Sequence, residues 1–224
     1  MNSSSRLRPI PRLREVGGVL QGWFIRQRPK LTIITAVSRP ENLSSLKDNL
    51  SILKPHFKVC WCCVVDSEKA TLQQIAVKPD ILKTAKSEVP DSGSTQRNVA
   101  LSLIRNGWIY FLDDDNLIHP NFPRVASETI SANPAKKCFV FAQAWWDNTH
   151  RLGAGPIKPG KVDTGNFLVH RSAIGEAKWS LDPIPASVDF NFITQVWQQK
   201  PEQFLFVNEV CTYYNRLRPG RKVI

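Results

Sequence analysis

A chain of 224 residues has room for one domain of ordinary size and little more. Its 42% hydrophobic and 22% charged residues are those of a globular protein rather than a disordered polymer, and no apolar run approaches the roughly 20 residues that a helical membrane span needs. The net charge of +11 sits at the two ends: residues 1–30 carry +6 and residues 216–224 carry +4, which leaves +1 for everything between.

Residues 1–30 read as a basic, flexible leader. Its arginines are followed by no clean apolar core and no small-residue cleavage site, so it does not read as a secretory signal. A basic tail suits an anionic membrane surface, a nucleic acid or an acidic polymer, or is simply solvated. The nearly neutral body and the lack of a nucleic-acid module weigh against nucleic acid. The expected setting is cytoplasmic, with peripheral membrane contact open through the N-terminus.

Regular structure is expected from Leu31. Residues 31–37 (LTIITAV) form a short β-rich apolar run that ends in Ser-Arg-Pro, which predicts a buried strand and a turn. Leu43, Leu46, Leu50 and Leu53 then fall at helical spacing over 41–53. Residues 58–65 (KVCWCCVV) predict a second buried strand that stops at Asp66. A helix follows over 94–106, with Ser94 as N-cap, Val99, Leu103 and Ile104 on one face and Gly107 as C-cap. Residues 108–112 (WIYFL) predict a third strand that runs into Asp113, Asp114 and Asp115. Strands are also expected over 138–143, 166–170 and 204–207, a helix over 187–198, and a mobile loop over 152–161. Strands alternating with helices imply an α/β fold with a mostly parallel sheet in a single domain over 31–215, followed by a basic tail over 216–224.

The five cysteines are odd in number, and three of them, Cys60, Cys62 and Cys63, sit inside one apolar run. Cys62 and Cys63 are strand neighbours that point to opposite faces, so they are poorly placed to share a metal. They read as buried thiols of a reducing compartment.

The chemistry begins with Asp113-Asp114-Asp115-Asn116. Adjacent carboxylates repel unless cations compensate, and these follow a strand whose carboxyl end is where open α/β sheets place ligands. Mg²⁺ or Mn²⁺ prefers oxygen donors, and one or two carboxylates plus substrate phosphates complete such a site. Read without that context, the triplet is an acidic turn or a helix start. Arg97, near a helix N-terminus, can hold phosphate or ribose oxygens, or be merely exposed. Asp66 can meet a nucleobase or ribose, or cap its own turn. Asp189 stands in the first turn of a helix, as a general base or as a carboxylate favoured by the helix dipole. Trp145 and Trp146 can stack on sugar rings or divide between core and groove.

Together these residues resemble the GT-A glycosyltransferases, and in particular the inverting β-1,3-glucuronosyltransferases of glycosyltransferase family 43, with family 2 a more general relative. The likeness spans residues 31–216. It is carried by residues 35–40, Val65-Asp66-Ser67-Glu68, Gln96-Arg97-Asn98, YFLDDDN at 110–116, Val162-Asp163, Val188-Asp189 and residues 213–216. The resemblance implies a Rossmann-like sheet and a UDP-sugar donor bound by Thr35, Val37, Arg39, Asp66, Arg97, Asp113 and Asp114. Asp66 would take the uracil, Arg97 the ribose or phosphate, and Asp113 and Asp114 the ribose and donor sugar. Asp115 would ligate Mn²⁺ or Mg²⁺, and Tyr214 and Arg216 would hold the diphosphate. Trp145, Trp146, Asp163, Gly165 and Asn166 would contact donor sugar or a glycan or glycoconjugate acceptor, and Asp189 would be the base. The sequence departs from the family in having Asp189 for a glutamate, Tyr214 for a histidine and Pro185 for an arginine, and in lacking the usual membrane anchor. Rival readings are a nucleotidyltransferase, although residues 35–40 lack the glycine-rich phosphate loop, and a basic nucleic-acid binder.

Overall fold

The computed structural model describes residues 27–89, 91–181 and 188–218. Most of the expected basic leader, the expected helix start at Ser187, Pro185, and the last six residues of the basic tail lie outside the described residues. Among the described residues, no helix is long and apolar enough to cross a membrane.

Strand β1 (Lys30–Val37) is followed by α1 (Leu43–Leu50), β2 (Lys58–Asp66), β3 (Ile81–Ala85), α2 (Ser94–Leu103), β4 (Trp108–Phe111), β5 (Leu117–Ile118) and α3 (Phe122–Ala132). Then come β6 (Cys138–Trp145), β7 (His150–Leu152), β8 (Phe167–His170), α4 (Arg171–Ile174), α5 (Val188–Gln199) and β9 (Phe204–Tyr214). They build one sheet in the order β3-β2-β1-β4-β8-β6-β9-β5, with β7 paired to β6. Strands β3, β2, β1, β4, β6 and β9 run one way; β8, β5 and β7 run the other.

The apolar runs are continuous because both faces of the sheet are covered, as parallel strands require. Leu31, Ile33 and Val37 of β1 pack with Leu43, Leu46 and Leu50 of α1 and with Phe122, Val125 and Ala126 of α3. Ile34 of the same strand packs in the opposite layer with Ala100 and Leu101 of α2 and Phe192, Ile193 and Val196 of α5. Cys63 belongs to the first layer and Cys62 to the second, as strand alternation requires. All five thiols are free; Cys60 is only half-buried. Burial pushes the Cys62 thiol up to about 12. In the second layer the Trp179 and Phe192 rings stack at 4.4 Å, with Phe111 edge-on at 4.9 and 5.5 Å. Such pairs add about 0.5–1.5 kcal/mol each beyond the area they bury.

Helix α2 departs from expectation. Its buried side is Ser94, Gln96, Arg97, Ala100 and Leu101, while Leu103, expected inside, is 41% exposed. A buried arginine and glutamine share the inner side; of the expected face, Ile104 is buried and Val99 packs against the core, and only Leu103 points outward. The cap is Gly93 in the left-handed region (φ 86°), and Ser94 is already helical. The helix ends at Leu103, and Gly107 (φ 92°) turns the chain into β4 instead of capping the helix. Five elements went unexpected: β3, β5, β7, α3 and α4. Strand β3 has an exposed centre, and α3 begins on Phe-Pro, which does not announce a helix core. Strand β9 runs on to Tyr214, beyond the expected 204–207. A bulge at Asn208-Glu209 breaks its apolar pattern while Val210, Thr212 and Tyr213 continue the pairing with β6.

Candidate active site

The carboxyl ends of β1, β2 and β4 open into a cavity of about 360 Å³, closed by the N-termini of α2 and α5 and by the chain leaving β9. This is the crevice where parallel α/β sheets hold ligands. Among its lining residues are six carboxylates (Asp66, Asp113, Asp114, Asp115, Asp163, Asp189) and four cations (Arg39, Lys69, Arg97, Arg218).

The three adjacent aspartates have three different tasks. Asp114 is 2% exposed and saturated by the turn after β1. Its carboxylate accepts from the Ser38 and Arg39 amides at 2.6 and 2.7 Å, from the Ser38 hydroxyl at 3.0 Å, and from the Arg39 guanidinium. Asn42 donates to its carbonyl at 2.9 Å. Asp114 therefore brackets β1 to β4. Asp113 faces the cavity and pairs with Arg97 at 2.6 Å. Asp115 is 4% exposed and accepts from Arg218 Nε at 2.7 Å, with Arg39 3.4 Å away. Burial, then the neighbouring Asp113, raises the Asp115 carboxyl above the ordinary range, while Arg218 and Arg39 oppose the shift.

Arg97 is held as rigidly as its target. It donates to the Ser92 carbonyl at 2.8 Å and lies over the Trp179 ring at 4.6 Å. Asp91 organises the turn ahead of it, accepting from the Gly93 and Thr95 amides at 3.1 and 2.8 Å. Gly93 is required there on two counts: its positive φ, and an added Cβ that would meet Ala36 Cβ at 2.9 Å. Asp66 closes β2, accepting from the Glu68 amide at 3.1 Å and pairing with Lys69 at 3.3 Å.

On the opposite wall, Asp163 caps the Thr164–Asn166 turn through the Gly165 amide at 3.2 Å, and its other oxygen pairs with Arg151 at 3.0 Å. The Thr164 hydroxyl donates to Asp189 at 2.6 Å. Burial, then Asp163 and further Asp113, pushes the Asp189 carboxyl up to about 7, against the pull of Arg97 and the Thr164 hydrogen bond. Burial likewise raises Asp163, against the pull of Arg151. Helix α5 thus delivers a carboxyl poised near neutrality into a cavity of cations and acids.

The cavity gathers Val37, Arg39, Asp66, Arg97, Asp113, Asp114, Asp115, Asp163, Asp189 and Tyr214 of the residues expected from sequence. Six others do not line it. Thr35 is buried, and its hydroxyl accepts from Trp61 Nε1 at 3.1 Å. Gly165 packs against Thr212 and Gln143. Asn166 is buried and accepts from the Asp163 amide at 3.1 Å. Trp145 and Trp146 stand one ring further out, with Trp145 5.4 Å from both Trp146 and the lining residue Tyr214. The Arg151 guanidinium lies over the Tyr214 ring at 3.6 Å, joining this aromatic rim to Asp163. Arg216 is turned away over the Tyr213 ring at 5.1 Å, and Arg218 lines the cavity in its place. Residues 216–218, the described start of the expected basic tail, form a turn folded onto the site: the Leu217 amide donates to the Asp115 carbonyl at 2.9 Å. Sequence reasoning also missed Lys69, Gly93 and Thr164. Only the first two had a local signal: Lys69 stands three residues after Asp66, and Asp-Ser-Gly at 91–93 is a turn signature.

No family model matches the sequence, and no curated protein matches it. Solved structures do match the fold. Residues 1–349 of Staphylococcus aureus TarS superpose with a TM-score of 0.58 at 14% identity, covering 82% of this chain and 60% of that one. The same TarS fragment in complex with UDP-GlcNAc gives 0.60 at 15% identity over 87% of this chain and 60% of that one. Glucosyl-3-phosphoglycerate synthase from Mycobacterium tuberculosis, in complex with Mn²⁺, UDP-glucose and phosphoglyceric acid, gives 0.57 at 11% identity over 84% and 73%. The chain spans about three-fifths of the TarS fragment it matches. The fold is that of the GT-A glycosyltransferases.

Proposed function

We propose that this chain is a UDP-sugar glycosyltransferase that transfers the sugar to a hydroxyl of a glycan or glycoconjugate, with inversion. The observation that carries the proposal is the convergence of Arg97, the Asp113–Asp115 acids and a near-neutral Asp189 in one cavity at the carboxyl ends of β1, β2 and β4. The fold neighbours crystallised with UDP-sugars support the donor class; inversion is proposed on the sequence resemblance to family 43 alone.

The donor set suits a divalent cation that completes its shell with diphosphate oxygens. Among the described residues, no three acid, histidine or cysteine side chains gather as a closed metal cage. Carboxylates outnumber cations six to four around the cavity, however, and burial, then the neighbouring Asp113, raises the Asp115 carboxyl. Asp115 would be the protein ligand, with Asp113 beside it, and Mn²⁺ or Mg²⁺ would supply charge stabilisation to the departing diphosphate.

The chain's own residues do the rest. Arg97, already fixed by Ser92, Asp113 and Trp179, presents a preorganised guanidinium to the developing negative charge, with little reorganisation at the moment of transfer. Asp66 and Lys69 flank the end of the cavity suited to the nucleoside. Thr164 holds Oδ1 of Asp189, and among the described residues Oδ2 remains to take the proton of the acceptor hydroxyl as the hydroxyl oxygen bonds the anomeric carbon and the anomeric carbon's bond to the diphosphate breaks. Tyr214, Trp145 and Trp146 offer apolar faces for sugar rings at the same mouth.

Calorimetric titration of UDP, with Mn²⁺ and then with EDTA, on wild type and Asp115→Ala tests the proposal. Binding that requires the metal and is lost in the variant is expected. UDP binding absent under every condition would overturn it.

A further inference from the structure

The cation on Asp115 in this structure is Arg218. Its Nε donates to the carboxylate at 2.7 Å, and among the described residues this is the one ion pair that Arg218 makes. The contact is built by the chain around it. The Leu217 amide donates to the Asp115 carbonyl at 2.9 Å, and the Asn215 amide donates to Asn116 at 2.7 Å, so the segment leaving β9 is stitched to the acidic turn after β4. Arg39, the other cation near Asp115, is committed to Asp114 and stands at 3.4 Å. The Asp115 side chain is 5% exposed and that of Arg218 is 45% exposed. The acid is therefore fixed, and its partner sits on a long side chain with room to leave.

We propose that Arg218 is a built-in cation that holds Asp115 in the donor-free protein, competes there with the divalent ion, and passes to the donor's diphosphate when the ion takes its place. Arg218 and Arg39 both approach Oδ2 of Asp115, at 2.7 and 3.4 Å, so a divalent ion arriving at this carboxylate meets like charge at close range, and Arg218, the more exposed and less committed of the two, is the one that yields. A displaced guanidinium, still tethered beside the cavity, matches phosphate oxygens in its planar fork. The inference rests on the proposed donor site and deepens it: ion and donor bind together because each helps move Arg218, and either alone meets an occupied or a repelling acid.

The test titrates Mn²⁺ alone into wild type, Arg218→Ala and Arg218→Lys, with no nucleotide present. Thermal melting first verifies that each variant is folded. Arg218→Ala is expected to bind Mn²⁺ at least about tenfold more tightly than wild type, with Arg218→Lys in between because lysine keeps the charge and loses the fork. With saturating Mn²⁺, Arg218→Ala is expected to lose about tenfold in UDP affinity and nothing in uridine affinity. Equal Mn²⁺ affinity in wild type and Arg218→Ala overturns the exchange while leaving the donor site standing. Failure of either protein to bind Mn²⁺, even with UDP present, overturns the metal role of Asp115 and the exchange with it.

Discussion

Replacing Asp189 by asparagine separates the cost of the candidate base from its use. The carboxyl is lifted from 3.8 to about 7, first by burial and then by Asp163. A carboxyl whose folded pKa lies above its unfolded value binds more protons in the native than in the unfolded chain throughout that window. Wild-type stability therefore falls as pH rises from about 4 to about 7. At 1.36 kcal/mol per unit the shift amounts to about 4 kcal/mol, and sharing of the proton with Asp163 reduces it to about 2–4 kcal/mol. Asparagine keeps an acceptor for the Thr164 hydroxyl and removes the charge. Urea unfolding from pH 4.5 to 8.5 is expected to show wild type and variant nearly equal at the acid end, and the variant more stable by about 2–4 kcal/mol at the alkaline end. UDP binding with Mn²⁺ should be retained while transfer falls at least ~100-fold. A stability difference flat with pH, or a variant less stable at pH 8, refutes the assignment of a buried, near-neutral carboxyl.

On the proposed mechanism the same carboxyl would set the pH response of transfer. Transfer, followed as UDP release, is expected to rise with pH and reach half its maximum near pH 7, the position to which Asp189 is pushed. Thr164→Val removes the hydrogen bond that lowers that pKa, so the rise should move to higher pH and the plateau should fall about tenfold, with Thr164→Ser restoring both. Gly93→Ala forces an L-residue to φ 86° against Ala36 and is expected to destabilise the fold by about 1–3 kcal/mol in urea. Because the same turn carries the Ser92 carbonyl that holds Arg97, UDP affinity should drop with it.

How much of this was legible in the sequence depends on whether neighbours along the chain decide an element or neighbours across the fold do. Strands β1, β2 and β4 are short apolar runs buried on both faces, and such runs are visible in one dimension. Helix α2 is not, because its inner face includes Arg97 and Gln96, which are buried where the helix lines the cavity. A rule that seeks an apolar stripe then selects Leu103, which is exposed. The acidic triplet was visible as chemistry, but its division of labour was not. Asp114 becomes a bracket only because the Ser38 and Arg39 amides arrive from a strand 75 residues or more away. Arg216 and Arg218 look equivalent in sequence. The turn after Tyr214 sends one over the Tyr213 ring and the other onto Asp115. Thr164 had no local signal at all, since what matters is the helix that brings Asp189 to it from 25 residues downstream.

Strand β2 gives the molecule a way to be watched as it opens. Cys62 and Cys63 are adjacent in sequence, yet one is sealed beneath α2 and α5 and the other beneath α1 and α3. A thiol reagent reaches each only when its own layer lifts, while half-buried Cys60 reports the strand end nearby. The labelling rates of two neighbouring atoms on one strand therefore distinguish which of the two helical layers comes away first, with no probe added to the protein.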